Sequence, residues 1–295
     1  MITPLLIGIL GSFSITREFS FFGFLLIFIV GMSIQISMHV YNDIYDTIQG
    51  ADDKISQQHE FSGGSGILLD HPELKYKMFF IARTFILLAF LAGIILLFLI
   101  DNELRILLIV LIAFSAFLSK YYTAPPFKLA YRGLGEIAVW IAFGPVVVLF
   151  GSISQNLGPH PTILALMPIT GFITLSIAWV GEIVDFDSDI AADKLGLVFY
   201  LGRQRSIYVS IIIHILAIFN VIYVALYVLN PGFPIMFAMV PPALMITRYS
   251  LFVRDKTFDR DFFRNLSKMN YNIVVLFSIC LIIGFSSNIL IDKIF

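Results

Sequence analysis

Nine apolar stretches run through the chain, at about residues 2–14, 21–42, 78–100, 104–121, 135–153, 162–184, 206–229, 233–252 and 270–291. That repetition restricts the fold severely. A run of about 20 apolar residues matches the hydrocarbon thickness of a bilayer. Within hydrocarbon a segment must satisfy its own backbone hydrogen bonds, which leaves helices and closed barrels. The period-two alternation of barrel strands is absent. Composition agrees: 13% of residues are charged, against roughly 25% in soluble domains, and mean hydropathy is +0.92. The 30 phenylalanines suit side chains facing lipid. The expected fold class is all-α, a polytopic membrane protein with about nine transmembrane helices in one domain over 1–295. A net charge of −1 offers nothing to nucleic acid. Cys280 is the one cysteine, so an intrachain disulfide is excluded, and a small buried residue is expected there. The opening "MITPLLIGILGSF" lacks a cleavable-signal pattern and is short for a span.

Basic residues set the sidedness. Lys54, Lys75, Lys77 and Arg83 follow the second span; Lys120, Lys128 and Arg132 the fourth; Lys194, Arg203 and Arg205 the sixth. Arg248, Arg254, Lys256, Arg260, Arg264 and Lys268 follow the eighth. Of 19 basic residues only Arg17, Arg105 and Lys293 fall on the other side. The rich side is expected to be cytoplasmic, with the N-terminus outside.

The same side carries acids. In "NDIYDTIQGADDK", Asn42, Asp43 and Asp46 fall within one turn of helix and are expected to share a face. In "GEIVDFDSDIAADK", Glu182, Asp185, Asp189 and Asp193 recur at three, four and four residues, again one helical face, with Asp187 turned away into solvent. Each cluster ends an apolar stretch and precedes a lysine. This suggests a weak repeat with halves of about 1–130 and 131–295 and the site between them. A carboxylate in the bilayer costs roughly 2.5–3.5 kcal/mol. Several facing one another would repel and take up protons unless cations sat among them. Hard oxygen donors with room for water suit Mg²⁺, which takes one or two carboxylates and then substrate phosphate oxygens. Two acidic faces therefore suggest Mg²⁺ ions clamping a diphosphate. Asp52 and Asp53 also read as solvated loop residues, His39 as a buried hydrogen-bonded histidine and His214 as structural.

These residues resemble the UbiA superfamily of intramembrane aromatic prenyltransferases, whose N-D-x-x-D motif matches Asn42, Asp43 and Asp46. "GADD", "FSGGSGIL", "YYTAPPFKLAYRGLGEIAVWIAFGPVVVL" and "DFDSDIAADKLGLVFYLGR" are similar to segments of its menaquinone branch, in order, over about residues 4–205. Glu182 and Val184 stand where members often have Asn-x-x-Arg, Asp193 replaces a usual Gly, and Gly196 falls where Thr is common. The Arg-Pro segment that usually opens the first helix is missing.

The resemblance implies helices around a central cavity, under a cytoplasmic cap of loops and short helices that includes "HEFSGGSGIL". It implies an enzyme of the prokaryotic cell membrane, with its active site facing the cytoplasm. The implied reaction moves a polyprenyl group from an isoprenyl diphosphate to an aromatic acceptor such as 1,4-dihydroxy-2-naphthoate, in quinone biosynthesis. Mg²⁺ would be held by Asn42, Asp43, Asp46, Asp185 and Asp189, and diphosphate by Lys128, Arg132 and Lys194, with Lys54 and Lys120 as further candidates. Asp46 and Asp185 would be central to catalysis. Tyr121 or Tyr122 would face the allylic cation with a π surface. Competing readings are prenylation of geranylgeranylglyceryl phosphate on the same scaffold, a CDP-alcohol phosphotransferase and an ion-coupled transporter. The phosphotransferase needs its acids in one continuous run, and the transporter needs them near mid-membrane.

Overall fold

The structure, a computed structural model, describes residues 1–52, 64–229, 232–255 and 260–291. Among them there is helix and no strand. The helices are α1 (Ile2–Thr16), α2 (Phe21–Gln49), α3 (Ile67–Asp70), α4 (Lys75–Leu97), α5 (Asn102–Tyr121), α6 (Gly135–Ile141), α7 (Val147–Ile153), α8 (Pro161–Val184), α9 (Phe186–Ala191), α10 (Leu197–Leu201), α11 (Arg203–Tyr223), α12 (Val240–Asp255) and α13 (Arg260–Ile291). A π-helical turn at Ala142–Val146, containing Pro145, joins α6 and α7 into one rod.

Seven helical stretches among the described residues are long and apolar enough to cross a membrane, and the chain is an integral membrane protein. Two of the nine expected spans fall short. α1 has 15 residues, and 233–255 is divided between a 3₁₀ stretch of 7 residues and the 16 of α12.

α2 starts cleanly because Ser20 Oγ accepts the Gly23 N–H. It then runs for 29 residues, to Gln49, so the first acidic cluster is helical throughout. α8 stops sooner. Its last residue is Val184, Asp185 caps it, and α9 begins at Phe186. The second cluster therefore straddles a break, and its four acids do not form one continuous face. Asp193 lies past α9, exposed, at φ 55°. That left-handed backbone explains why Gly is usual here and why Asp, with its short polar side chain, is tolerated.

α1 is antiparallel to α2: a Cβ at Gly31 would lie 2.8 Å from Met1 Sδ. Thr16 and Arg17 sit at the end where α2 begins, which is the end away from the acidic clusters. Met1 lies part-way along α2, beside Gly31 and Gln35.

Between helices in lipid, close approach of small residues matters more than water exclusion. α1 and α7 show this. A Cβ on Gly8 would come within 2.1 Å of Val148 O, and one on Gly151 within 2.3 Å of Leu5 O. Ser12 Oγ donates to Ser152 Oγ at 3.1 Å one turn further on. A second packed region joins α8, α11, α12 and α13 around Trp179, Ile207, Tyr249 and Leu266. It is pinned by Trp179 Nε1–H to Ser206 O at 2.8 Å and Asn270 Nδ2–H to Ser176 O at 3.0 Å. His214 is fully buried, and its Nδ1–H donates to Ser210 O at 2.7 Å, a structural role. Cys280 is half-buried against the main core. His39, expected to be buried, is exposed on α2, with its Nε2 2.6 Å from Gln35 Nε2.

Replacing Gly151 by Val forces α1 and α7 apart. The expected cost is about 1–3 kcal/mol, read as a lower melting temperature in detergent. The same substitution at exposed Ile109 of α5 should leave the melting temperature unchanged.

Candidate active site

The two acidic helix ends meet through a lysine. Lys194 Nζ lies 3.7 Å from Asp46 Oδ2 and 3.4 Å from Asp189 Oδ1. Carboxylates from the two clusters thus share one ammonium. Between them is a cavity of about 120 Å³ lined by Asn42, Asp46, Ala51, Asp52, Asp185, Ser188, Asp189 and Lys194. Tyr131 donates its hydroxyl to Asp46 Oδ1 at 2.7 Å. Lys194 follows α9 directly, and its own N–H donates to Asp189 O at 2.8 Å.

Asn42 and Asp46, one turn apart on α2, share the cavity. Asp43 turns away. Its Oδ1 accepts the Ser65 N–H at 2.6 Å, and its other oxygen accepts the Ser65 hydroxyl. Asp52 Oδ1 accepts the Gly64 N–H at 3.0 Å. A Cβ on residue 64 would lie 2.1 Å from Asp52 Oδ2 and 2.3 Å from Asp43 Oδ1, so this Gly lets the backbone sit between two carboxylates. Of the stretch "HEFSGGSGIL" expected in a cap, the structure describes Gly64 onward, while residues 59–63 and Lys54 lie outside the described residues.

The neighbouring tyrosines diverge. Tyr121 stacks with Phe117 and Phe127 at 4.9 and 5.2 Å, away from the acids. Tyr122 lies in the field of Glu182, Lys194, Glu136 and Asp46, and burial raises its pKa first of all. Lys120 Nζ sits 4.9 Å over the Tyr121 ring. Lys128 Nζ is 5.3 Å over the Tyr131 ring and Lys194 Nζ 5.9 Å, so these two approach the same aromatic face region. Arg132 is exposed. Asp187 is exposed as expected and pairs with Arg203 at 3.1 Å.

Electrostatics follow from burial. Burial pushes the Asp52 carboxyl up to about 6, with Asp46 adding to the rise. Asp189 is raised by burial against the opposing pull of Lys194. Burial by itself would lower the pKa of Lys194, but Asp46 and Asp189 outweigh it and hold the ammonium charged.

The donor set fits Mg²⁺. Asn42 Oδ1 and Asp52 Oδ2 are buried and make no hydrogen bond. The available donors on the cavity wall are hard oxygens. Among the described residues no three of His, Cys, Asp and Glu converge on a point. The hard oxygens of the cavity wall suit Mg²⁺, whose shell is commonly completed by water and phosphate oxygens. Asp52, Ser188 and Tyr131 belong to the site without having been singled out from sequence. Asp52 gets there because the chain reverses after Gly50, where the N–H groups of Gly50 and Ala51 both return to Asp46 O. Only the helix-breaking Gly50 hinted at that reversal.

A second, apolar cavity of about 50 Å³ lies deeper, between α2, α5 and the α6–α7 rod. Gly31, Gln35 and Met38 line it on α2, and Asn42 and Asp46 line the acidic cavity. Their spacing of four, three, four and four residues makes one continuous face. On α5, Ser115, Leu118 and Ser119 line the deep cavity, and Tyr122 follows one turn later at the acidic end.

A family model described as the UbiA prenyltransferase family matches residues 77–274. The chain is 24% identical to a 2-carboxy-1,4-naphthoquinone phytyltransferase of Synechocystis over 69% of its own length and 62% of that protein's. It is 30% identical to a 1,4-dihydroxy-2-naphthoate octaprenyltransferase of Mycobacterium tuberculosis over 62% and 59%. The match thus spans less than two thirds of either relative. Among solved structures, the apo form of a UbiA homolog from Aeropyrum pernix K1 superposes with a TM-score of 0.64 at 15% identity, over 99% of this chain and 97% of that one. A UbiA homolog from Archaeoglobus fulgidus bound to DMAPP and Mg²⁺ gives 0.58 at 13% identity, over 94% of each. At these identities the structural likeness concerns the fold alone.

The raised pKa of Asp52 sets a pH dependence. The folded chain holds this proton more tightly than the unfolded chain, so stability falls as pH rises from about 4 through about 6. Asp52→Asn mimics the protonated form. In chelator-containing buffer it should raise the melting temperature at pH 7.5, and that gain should shrink toward pH 4.

Proposed function

The chain belongs to the UbiA prenyltransferase family, and on that footing we propose that it transfers a polyprenyl group from an isoprenyl diphosphate to an aromatic acceptor of the 1,4-dihydroxy-2-naphthoate kind, releasing diphosphate. The observation that carries this reading is the meeting of Asp46 and Asp189, from two distant segments, around one polar cavity with Lys194 between them. The naphthoate acceptor is favoured by the names of the two curated relatives.

In this reading Asn42, Asp46, Asp52, Asp185 and Asp189 hold Mg²⁺, and Asp43 fixes the turn at Gly64 and Ser65 over the site. Bound Mg²⁺ supplies Lewis-acid stabilisation of the departing diphosphate. Lys194 adds a fixed positive charge where negative charge develops, and such preorganised groups act most strongly in a water-poor site. Lys128 stands next to it over Tyr131 and is the second diphosphate contact, with Arg132 and Lys120 further out. The C–O bond to the diphosphate breaks and its electron pair leaves with the oxygen. The electron-rich acceptor carbon provides the pair for the new bond, and the group it carried leaves as a proton, or as CO₂ from a ring carboxylate, returning its bonding pair to the ring. Tyr122 is the tyrosine placed to face the allylic cation, and Tyr121 packs behind it. The apolar tail follows the common face of α2 down to the cavity at Gly31, Gln35 and Met38. The basic-residue distribution puts the acidic ends on the cytoplasmic side of a prokaryotic cell membrane. The two halves of the chain, about 1–130 and 131–295, contribute one acidic end each, and α1 and 233–255 complete a nine-membered bundle.

The test is a donor and acceptor panel with purified protein and Mg²⁺, scored by product mass. Asp46→Asn and Asp185→Asn should each lower turnover about 100-fold or more with helix content unchanged. Full activity in either variant would overturn the metal assignment. Release of diphosphate in detergent, with no vesicle present, separates this enzyme from a carrier.

A further inference from the structure

Two acidic side chains have no part in the scheme above. Glu136 lies in the first turn of α6 and is 2% exposed. Glu182 lies in the last turn of α8, and its carboxyl faces that of Glu136. The turn that follows Lys194 packs against both. Glu136 Oε1 accepts the Leu197 N–H. A Cβ on residue 196 would lie 2.3 Å from Glu182 Oε2 and 3.1 Å from Glu136 Oε1. A side chain at 196 would therefore meet both carboxyls, chiefly the end of the Glu182 side chain, which would have to move aside. The Glu182 carboxyl occupies the volume that a side chain at 196 would need.

This gives the short segment 194–197 two anchors. At one end the Lys194 N–H is bound to Asp189 O in the α9 turn. At the other the Leu197 N–H is bound to Glu136 on α6. The Lys194 side chain leaves between these anchors and reaches Asp46 and Asp189. A lysine stem has four rotatable bonds, so the place of its ammonium depends on how firmly its backbone is held.

We propose that Glu136 and Glu182 are positioning residues: they clamp Gly196 and Leu197 to α6 and α8, and thereby place the Lys194 ammonium between the two acidic helix ends. The functional consequence rests on reading Lys194 as a diphosphate contact. Glu136 acts through the Leu197 amide. Glu182 acts by filling the space beside Gly196.

The test uses the full chain in detergent and two readouts. Hydrogen exchange of the peptide covering 194–201 reports the clamp itself. Binding of inorganic pyrophosphate with Mg²⁺, by calorimetry, reports its consequence. Glu136→Ala should speed exchange at Leu197 and weaken pyrophosphate binding, each about tenfold. Glu136→Gln keeps an acceptor oxygen and should stay near wild type in both. Gly196→Ala should copy the Glu136→Ala defect, and adding Glu182→Ala should relieve it by opening the space. Unchanged exchange in Glu136→Ala, or a Gly196→Ala defect untouched by the second substitution, overturns the proposal. Wild-type protein that does not bind Mg²⁺ and pyrophosphate defeats the diphosphate reading instead, and the exchange measurement still decides the clamp.

Discussion

A single ammonium, Lys194 Nζ, stands between carboxylates that begin on unrelated stretches of chain. Without it Asp46 and Asp189 would face each other, poorly hydrated, across a small cavity. Buried ion pairs of this kind add little net stability because desolvation offsets much of the attraction. Their better-attested use is to fix one arrangement among several. That is their role here: the pairing ties the segment after α8 to the end of α2, and the site exists only when these two parts are brought together. Tyr131 completes the arrangement by giving Asp46 a hydrogen bond from a third segment.

Much of this was legible in the residues. Apolar runs gave helices, and the acids at spacing four put Asn42 and Asp46 on one wall. What could not be read follows from features with no periodic signature. Adjacent tyrosines on a helix point about 100° apart, and spacing does not say which of Tyr121 and Tyr122 faces inward. The break at Asp185 is likewise silent, since an interval of four looks the same whether or not the helix is continuous. Asp52 looked like a loop residue because its burial depends on a reversal after Gly50 and on a distant turn folding over it.

The two cavities share their walls in a particular order. Along α2, polar donors give way within a few turns to Met38 and Gly31, and along α5 Tyr122 gives way to Ser119, Leu118 and Ser115. On α2 the charged residues thus lie toward the acidic cavity, and mostly apolar ones toward the deeper one. Gly196 and Glu182 show a different kind of fit, in which the carboxyl of one stands where a side chain at the other would be.

The length of α2 has its own consequence. Its 29 residues extend about 43 Å at 1.5 Å per residue, well beyond a hydrocarbon layer of about 30 Å. Asp43 and Asp46 lie in its final two turns. In the proposed reading, a membrane-dissolved donor meets them there with its anionic head while its tail stays among the lipid chains.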